Sequence, residues 1–166
     1  MTLQHPLDRA NLALALLATL LGGALLLAGA GDRPWPPLTA LDPASARELR
    51  LLKGDDLQWA LLAGPEGWTL THPAARGADA GRVRELLGLV ATPSFEHFPA
   101  PADLRPYGLD TPAYRLVVDG LEIAFGSLEP TTAHRYVLVD GQVHLIGDGF
   151  HHHVVGGPHR FAVERD

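Results

Sequence analysis

Hydrophobic and polar positions divide this chain into three regimes. From Ala10 to Ala30 no charged residue occurs, and Leu, Ala, Gly and Thr with a single Asn fill the stretch. At about 1.5 Å per residue a helix of that length spans about 30 Å, the hydrocarbon thickness of a bilayer. No polar stripe interrupts it, so it does not encode a soluble amphipathic helix. The expectation is a single transmembrane anchor over residues 10–30, preceded by a short cytoplasmic leader at residues 1–9. The alternative is a secretory signal cleaved after Ala30, since Ala28-Gly29-Ala30 fits a small-x-small site, although the run is longer than a signal's usual apolar centre. Arg9 and the free amine give the leader a slight positive bias, which places the protein in the inner membrane, single-pass, with the rest in the periplasm.

The second regime, residues 31–45, is rich in proline. Arg33-Pro34-Trp35-Pro36-Pro37 cannot continue a helix and predicts a stiff extended linker. Trp35 then has two readings, an interfacial aromatic at the membrane or a ring packed on the following domain.

The third regime, residues 46–166, alternates short apolar runs with turn residues. Glu48–Lys53, Leu57–Ala63 and Trp68–Thr71, separated by Gly54-Asp55-Asp56 and Gly64-Pro65-Glu66-Gly67, predict a three-stranded meander. Over Ala78–Ala91 the period changes. Val83, Leu86, Leu87 and Val90 fall at i, i+3, i+4 and i+7, the apolar face of a helix, with Asp79 as its N-cap and Thr92-Pro93 as its end. That stripe is expected to cover the sheet. Pro99–Pro112 reads as a loop with a short helical turn around Ala102–Arg105. Two hairpins follow: Tyr114–Val118 with Leu121–Phe125 through Asp119-Gly120, and Arg135–Val139 with Gln142–Ile146 through Asp140-Gly141. Asp-Gly suits the two-residue turns that need positive φ at both positions. Phe150–Val155 predicts a turn or two of helix stopped by Gly156-Gly157-Pro158, and Phe161-Ala162-Val163 a short edge element. The fold class is therefore α+β: an antiparallel sheet of six to seven strands with one main packing helix, preceded by a single transmembrane helix.

Composition narrows the function. The chain has 166 residues, 46% of them hydrophobic, and a formal charge of −6. An acidic balance argues against nucleic acid as a partner. The absence of cysteine excludes a disulfide scaffold, a thiolate nucleophile, a Cys-ligated zinc and a lipid-modified cysteine anchor. No Gly-rich phosphate loop occurs, and no cofactor is expected. Gly22-Gly23 lacks the spacing of a Gly-x-x-x-Gly helix contact.

Histidine is the main candidate for chemistry. There are nine, with His151-His152-His153 consecutive and His144 nearby. Adjacent positions on a helix diverge by about 100°, so the triplet cannot aim three rings at one metal; on a strand His151 and His153 would share a face. His144, His151 and His153 are thus the metal candidates, against a solvated His cluster; the triplet is also a candidate pH sensor. Only three serines occur, Ser45, Ser94 and Ser127, and Gly126-Ser127-Leu128 lacks the nucleophile elbow, so no catalytic residue is assigned. Asp55-Asp56 reads as a solvated turn. The loop Tyr107-Gly108-Leu109-Asp110 has a binding reading, as a recognition loop, and a structural one, with Tyr107 and Leu109 plugging the core and Gly108 supplying an unusual φ.

Trp68-Thr69-Leu70, Ala78-Asp79 leading into Val83–Leu87, Tyr107-Gly108-Leu109-Asp110-Thr111-Pro112, Gly126 and Arg135-Tyr136-Val137 occur in an order that resembles a bacterial family of exported proteins, domain of unknown function 4340. The resemblance covers about residues 46 to 150. It implies a single-span anchor and an α+β domain outside the cytoplasmic membrane, and some members are linked to gliding-type ABC transporters. It brings no catalytic residues. The chain carries one short copy where many relatives are longer, and its His-rich tail lies outside the recurrent pattern. The expected function is a membrane-anchored periplasmic accessory or binding module, held by the bilayer through residues 10–30 and docking on a protein of the cell envelope or a transporter complex. The alternative is an envelope metal-binding protein or enzyme using His144, His151 and His153.

Overall fold

The structure is a computed structural model and describes residues 35–162. The leader, the expected membrane segment and the first linker residues lie outside the described residues. No helix among the described residues is long and apolar enough to cross a membrane.

The fold is α+β. Nine strands form one antiparallel sheet: β1 (Glu48–Lys53), β2 (Asp56–Gly64), β3 (Gly67–His72), β4 (Arg76–Gly77), β5 (Ser94–Pro99), β6 (Tyr114–Val118), β7 (Leu121–Leu128), β8 (His134–Val139) and β9 (Gln142–Gly147). Their order across the sheet is β4-β3-β2-β1-β6-β7-β8-β9-β5. Two meanders, β1 to β4 and β6 to β9, meet at the β1–β6 pair, where Leu49 faces Val118 and Leu51 faces Leu116. Each meander leads into a helix, α1 (Ala80–Leu87) and the shorter α2 (His151–Val155).

Six or seven strands were expected, and the sheet has nine. The additions are β4, only two residues long, and β5, which runs along β9 with a register irregularity between Ser94 and Glu96. That irregularity erases the alternation by which a half-buried strand is recognised. Both Asp-Gly turns are present, with φ of 49° and 90° at Asp119 and Gly120 and of 48° and 72° at Asp140 and Gly141. The Asp119 carboxylate also accepts the amides of Arg47, at 2.9 Å, and Glu48, at 2.7 Å, tying this turn to the start of β1.

Alternation sorts the side chains. One face carries Leu49, Leu51, Trp59, Leu61, Leu70, Leu116, Val118, Ile123, Phe125, Val137 and Ile146 into the main core, which Val83, Leu86 and Leu87 of α1 close. Asp79 caps α1 by accepting the Arg82 amide at 2.9 Å. Its carboxyl is held below the ordinary carboxylate range by that bond. The helix is shorter than its sequence pattern and tightens into a 3-10 turn over Gly88–Ala91, which keeps Leu89 and Val90 buried. The described part of the expected linker packs on the domain: Leu38 is buried in the core, and its amide donates to Thr92. At the other end Ala162 bridges Ala78.

The opposite face is covered over only part of its width. The loop after β5 lays Leu104, Tyr107 and Leu109 against Phe98, Ala124, Tyr136, Leu138 and Val143, a second and smaller apolar cluster. Its helical turn falls at Arg105–Tyr107, slightly later than expected.

Candidate functional site

The Tyr107-Gly108-Leu109-Asp110 loop is seated on β7 by two glycines. Gly108 has φ +66°, and a Cβ there would meet the Ser127 nitrogen at 2.9 Å. At Gly126 a Cβ would meet the Tyr107 carbonyl oxygen at 2.3 Å and Leu109 Cγ at 2.9 Å. Tyr107 stands edge-on to Tyr136, with ring centroids 5.0 Å apart. Leu109 is buried beneath the loop. Tyr107 and Leu109 thus pack on the sheet, and Gly108 takes a left-handed φ.

Asp110 leads away from this contact to the rim of an open cleft. The cleft has a volume of about 840 Å³ and lies between the β1–β2 turn, Lys53–Asp56, and the segment Leu109–Ala113. Ala124 and Leu138 complete its apolar floor, with Arg115 and Glu122 to one side. Arg115 holds the turn in place, donating to the Gly54 carbonyl at 2.6 Å and to Asp55 at 2.8 Å, while Glu122 stands 3.8 Å away. Asp55 is a solvated turn residue, as expected, whose exposed carboxylate pairs with Arg115. Asp55, Asp56, Asp110 and Glu122 outnumber Lys53 and Arg115, so the cleft is net acidic. A concave surface of this size with an apolar floor and a few polar groups at its edge has the form of a ligand or peptide site.

The three candidate histidines occupy different surroundings. His144 lies on β9 opposite His97 of β5, the ring centroids 5.7 Å apart. Its Nδ1 is 2.9 Å from Ser94 Oγ. Ser94 in turn donates to the Glu96 carbonyl at 3.2 Å, so in this pair the imidazole N–H donates to the hydroxyl oxygen. Burial and then the charge of His97 push the His144 pKa down. Ser94 is only 2% exposed, which denies a substrate access to its hydroxyl.

His151 opens α2 against Tyr114 and Phe125. Burial, followed by the charge of Arg135, lowers its pKa, and its Nδ1 is buried without a hydrogen-bond partner among the described residues. His153 lies beside Phe150 and lines a small hollow with Arg82, Glu85 and Arg160. Its pKa is lowered by burial and then by His152. The triplet is helical; the His152 and His153 rings lie against each other with centroids 3.8 Å apart, while His151 turns away toward Tyr114 and Phe125. Among the described residues no group of three or more His, Cys, Asp or Glu side chains could hold a metal ion.

Arg135 links β7, β8 and the segment after β9. It donates to the Gly126 carbonyl at 2.6 Å and to Asp148 Oδ1 at 2.5 Å, with its side chain 12% exposed. Gly126 and Arg135 are thus bonded to each other next to the Tyr107 contact.

Comparisons of the chain with protein-family models, curated proteins and solved structures find no match.

Proposed function

We propose that this chain is a membrane-tethered binding module of the bacterial cell envelope. Residues 10–30 anchor it in the inner membrane, and the cleft between Lys53–Asp56 and Leu109–Ala113 receives a segment of a protein partner in the periplasm. The cleft is the observation that carries the reading. Its two walls are fixed, one by Arg115 and the other by the close seating of the Tyr107–Leu109 loop on Gly126, so little ordering entropy opposes association. Its acidic rim and apolar floor favour a segment with basic and aliphatic side chains. The uncharged run at residues 10–30 and the resemblance to domain of unknown function 4340 support the location and an accessory role beside a transporter complex.

The test is photo-crosslinking of the full-length protein in native membranes. A photoreactive residue at Thr111 is expected to form a discrete adduct, weakened by raised salt, whereas the same residue at Glu66, in the β2–β3 turn, is not. Equal patterns from the two positions, or none from Thr111, would reject the cleft as the docking site. Recovery of the uncut protein in the supernatant of detergent-free lysates would reject the anchor.

A further inference from the structure

Six rings line one edge of the loop-covered sheet face. Trp35 meets Phe95 edge-on, with centroids 5.7 Å apart, and Phe95 stacks on His134 at 4.4 Å. Two residues along β8 from His134, Tyr136 meets Tyr107 at 5.0 Å, and Tyr107 meets Phe98 at 5.5 Å. Trp35 is 58% exposed, the most exposed large hydrophobic side chain among the described residues. The other five rings are partly buried. The indole is held edge-on to the domain while most of it faces solvent.

The chain itself says what lies near that indole. Trp35 is the fifth residue after Ala30, where the uncharged run ends, and five extended residues reach at most about 18 Å. We propose that the Trp35–Phe95–His134 stripe seats the domain on the bilayer interface, with the Trp35 ring at the level of the lipid headgroups. The proposal rests on residues 10–30 being lipid-embedded, as in the function proposed above. Trp and Tyr, amphipathic rings with an apolar body and a polar edge, are the side chains enriched at that depth. A tether holds the patch at high local concentration, so a contact too weak to bind membranes alone still orients the domain. Glu96 and Glu129, which act on the neighbouring Tyr136, are acidic, so attraction to anionic lipid is not the proposed source.

The experiment reconstitutes the full-length protein in phosphatidylcholine vesicles brominated at a shallow or a deep acyl position and reads tryptophan emission. Trp59 is fully buried and Trp68 sits on β3, so the quenched emission should belong to Trp35 and disappear in Trp35→Phe. Shallow bromines are expected to quench more than deep ones, and phosphatidylglycerol should not increase the effect. Flotation of the same vesicles separates the two failures. Protein that floats with an unquenched Trp35 overturns the seating and leaves the anchor intact. Protein that does not float overturns both. Quenching that depends on phosphatidylglycerol and vanishes in high salt overturns the proposed aromatic mode.

Discussion

Gly126 and the Tyr107 carbonyl oxygen approach so closely that a Cβ on the glycine would stand 2.3 Å from that oxygen. Strand and loop meet where only a hydrogen fits. Gly126→Ala is therefore expected to cost about 3 kcal/mol or more, the upper part of the range for overpacking, because the nearest obstacle is backbone rather than a movable side chain. Urea unfolding of the detergent-solubilised protein checks this, and an unchanged midpoint would show that the loop gives way freely.

Gly108 and Gly141 share a left-handed φ, +66° and +72°, but differ in what surrounds them. Nothing lies within 4 Å of a Cβ at Gly141, whereas the Ser127 nitrogen stands 2.9 Å from one at Gly108. Gly141→Ala should cost about 1 kcal/mol, the conformational penalty alone. Gly108→Ala should cost about 2 kcal/mol or more, and Gly108→Val more again. Equal midpoint shifts for the two alanine variants would contradict this account of the loop.

Arg135 serves two acceptors on separate segments, and a side chain without its planar fork cannot reach both. Arg135→Met is expected to destabilise the domain by about 2 kcal/mol, with Asp148→Asn recovering little of the loss. A double-mutant cycle measures the coupling of the two side chains; none would mean that the ion pair contributes nothing.

His144, His151 and His153 all have pKa values pushed below their ordinary 6.5 in the folded domain. As pH falls through that value the unfolded chain takes up protons that the folded chain resists. Stability contributed by the neutral rings is complete above about pH 7.5 and declines on acidification. Thermal unfolding from pH 8 to 5 should show a falling midpoint, and a slope that is flatter in His144→Asn. A midpoint that rises toward pH 5 would reverse the sign.

The parts of the fold written locally were legible in the sequence. Asp-Gly placed two hairpins, and the i, i+3, i+4 spacing from Val83 placed α1. Strand β5 was not legible, because prolines flank it and its irregular register breaks the period. Missing β5 also hid the partner of His144, since the β5–β9 pairing alone brings Ser94 and His97 beside that ring. The tail histidines looked nearer only because they are close along the chain. In the same way Asp110 could be singled out from its loop, while the opposite wall at Lys53–Asp56 depends on a strand pair joining residues some sixty positions apart.

Strand β5 precedes the second meander in the chain yet has its sole partner in β9, the last strand to be made. A ribosome that has delivered residues only as far as Pro99 has released a sheet fragment with β1 open on one side and β5 with nowhere to hydrogen-bond. The first vacancy closes when β6 emerges, the second only when the final hairpin does. A nascent chain paused in between exposes two sticky strand borders, so its safe passage calls for a holding factor or for rapid completion of synthesis.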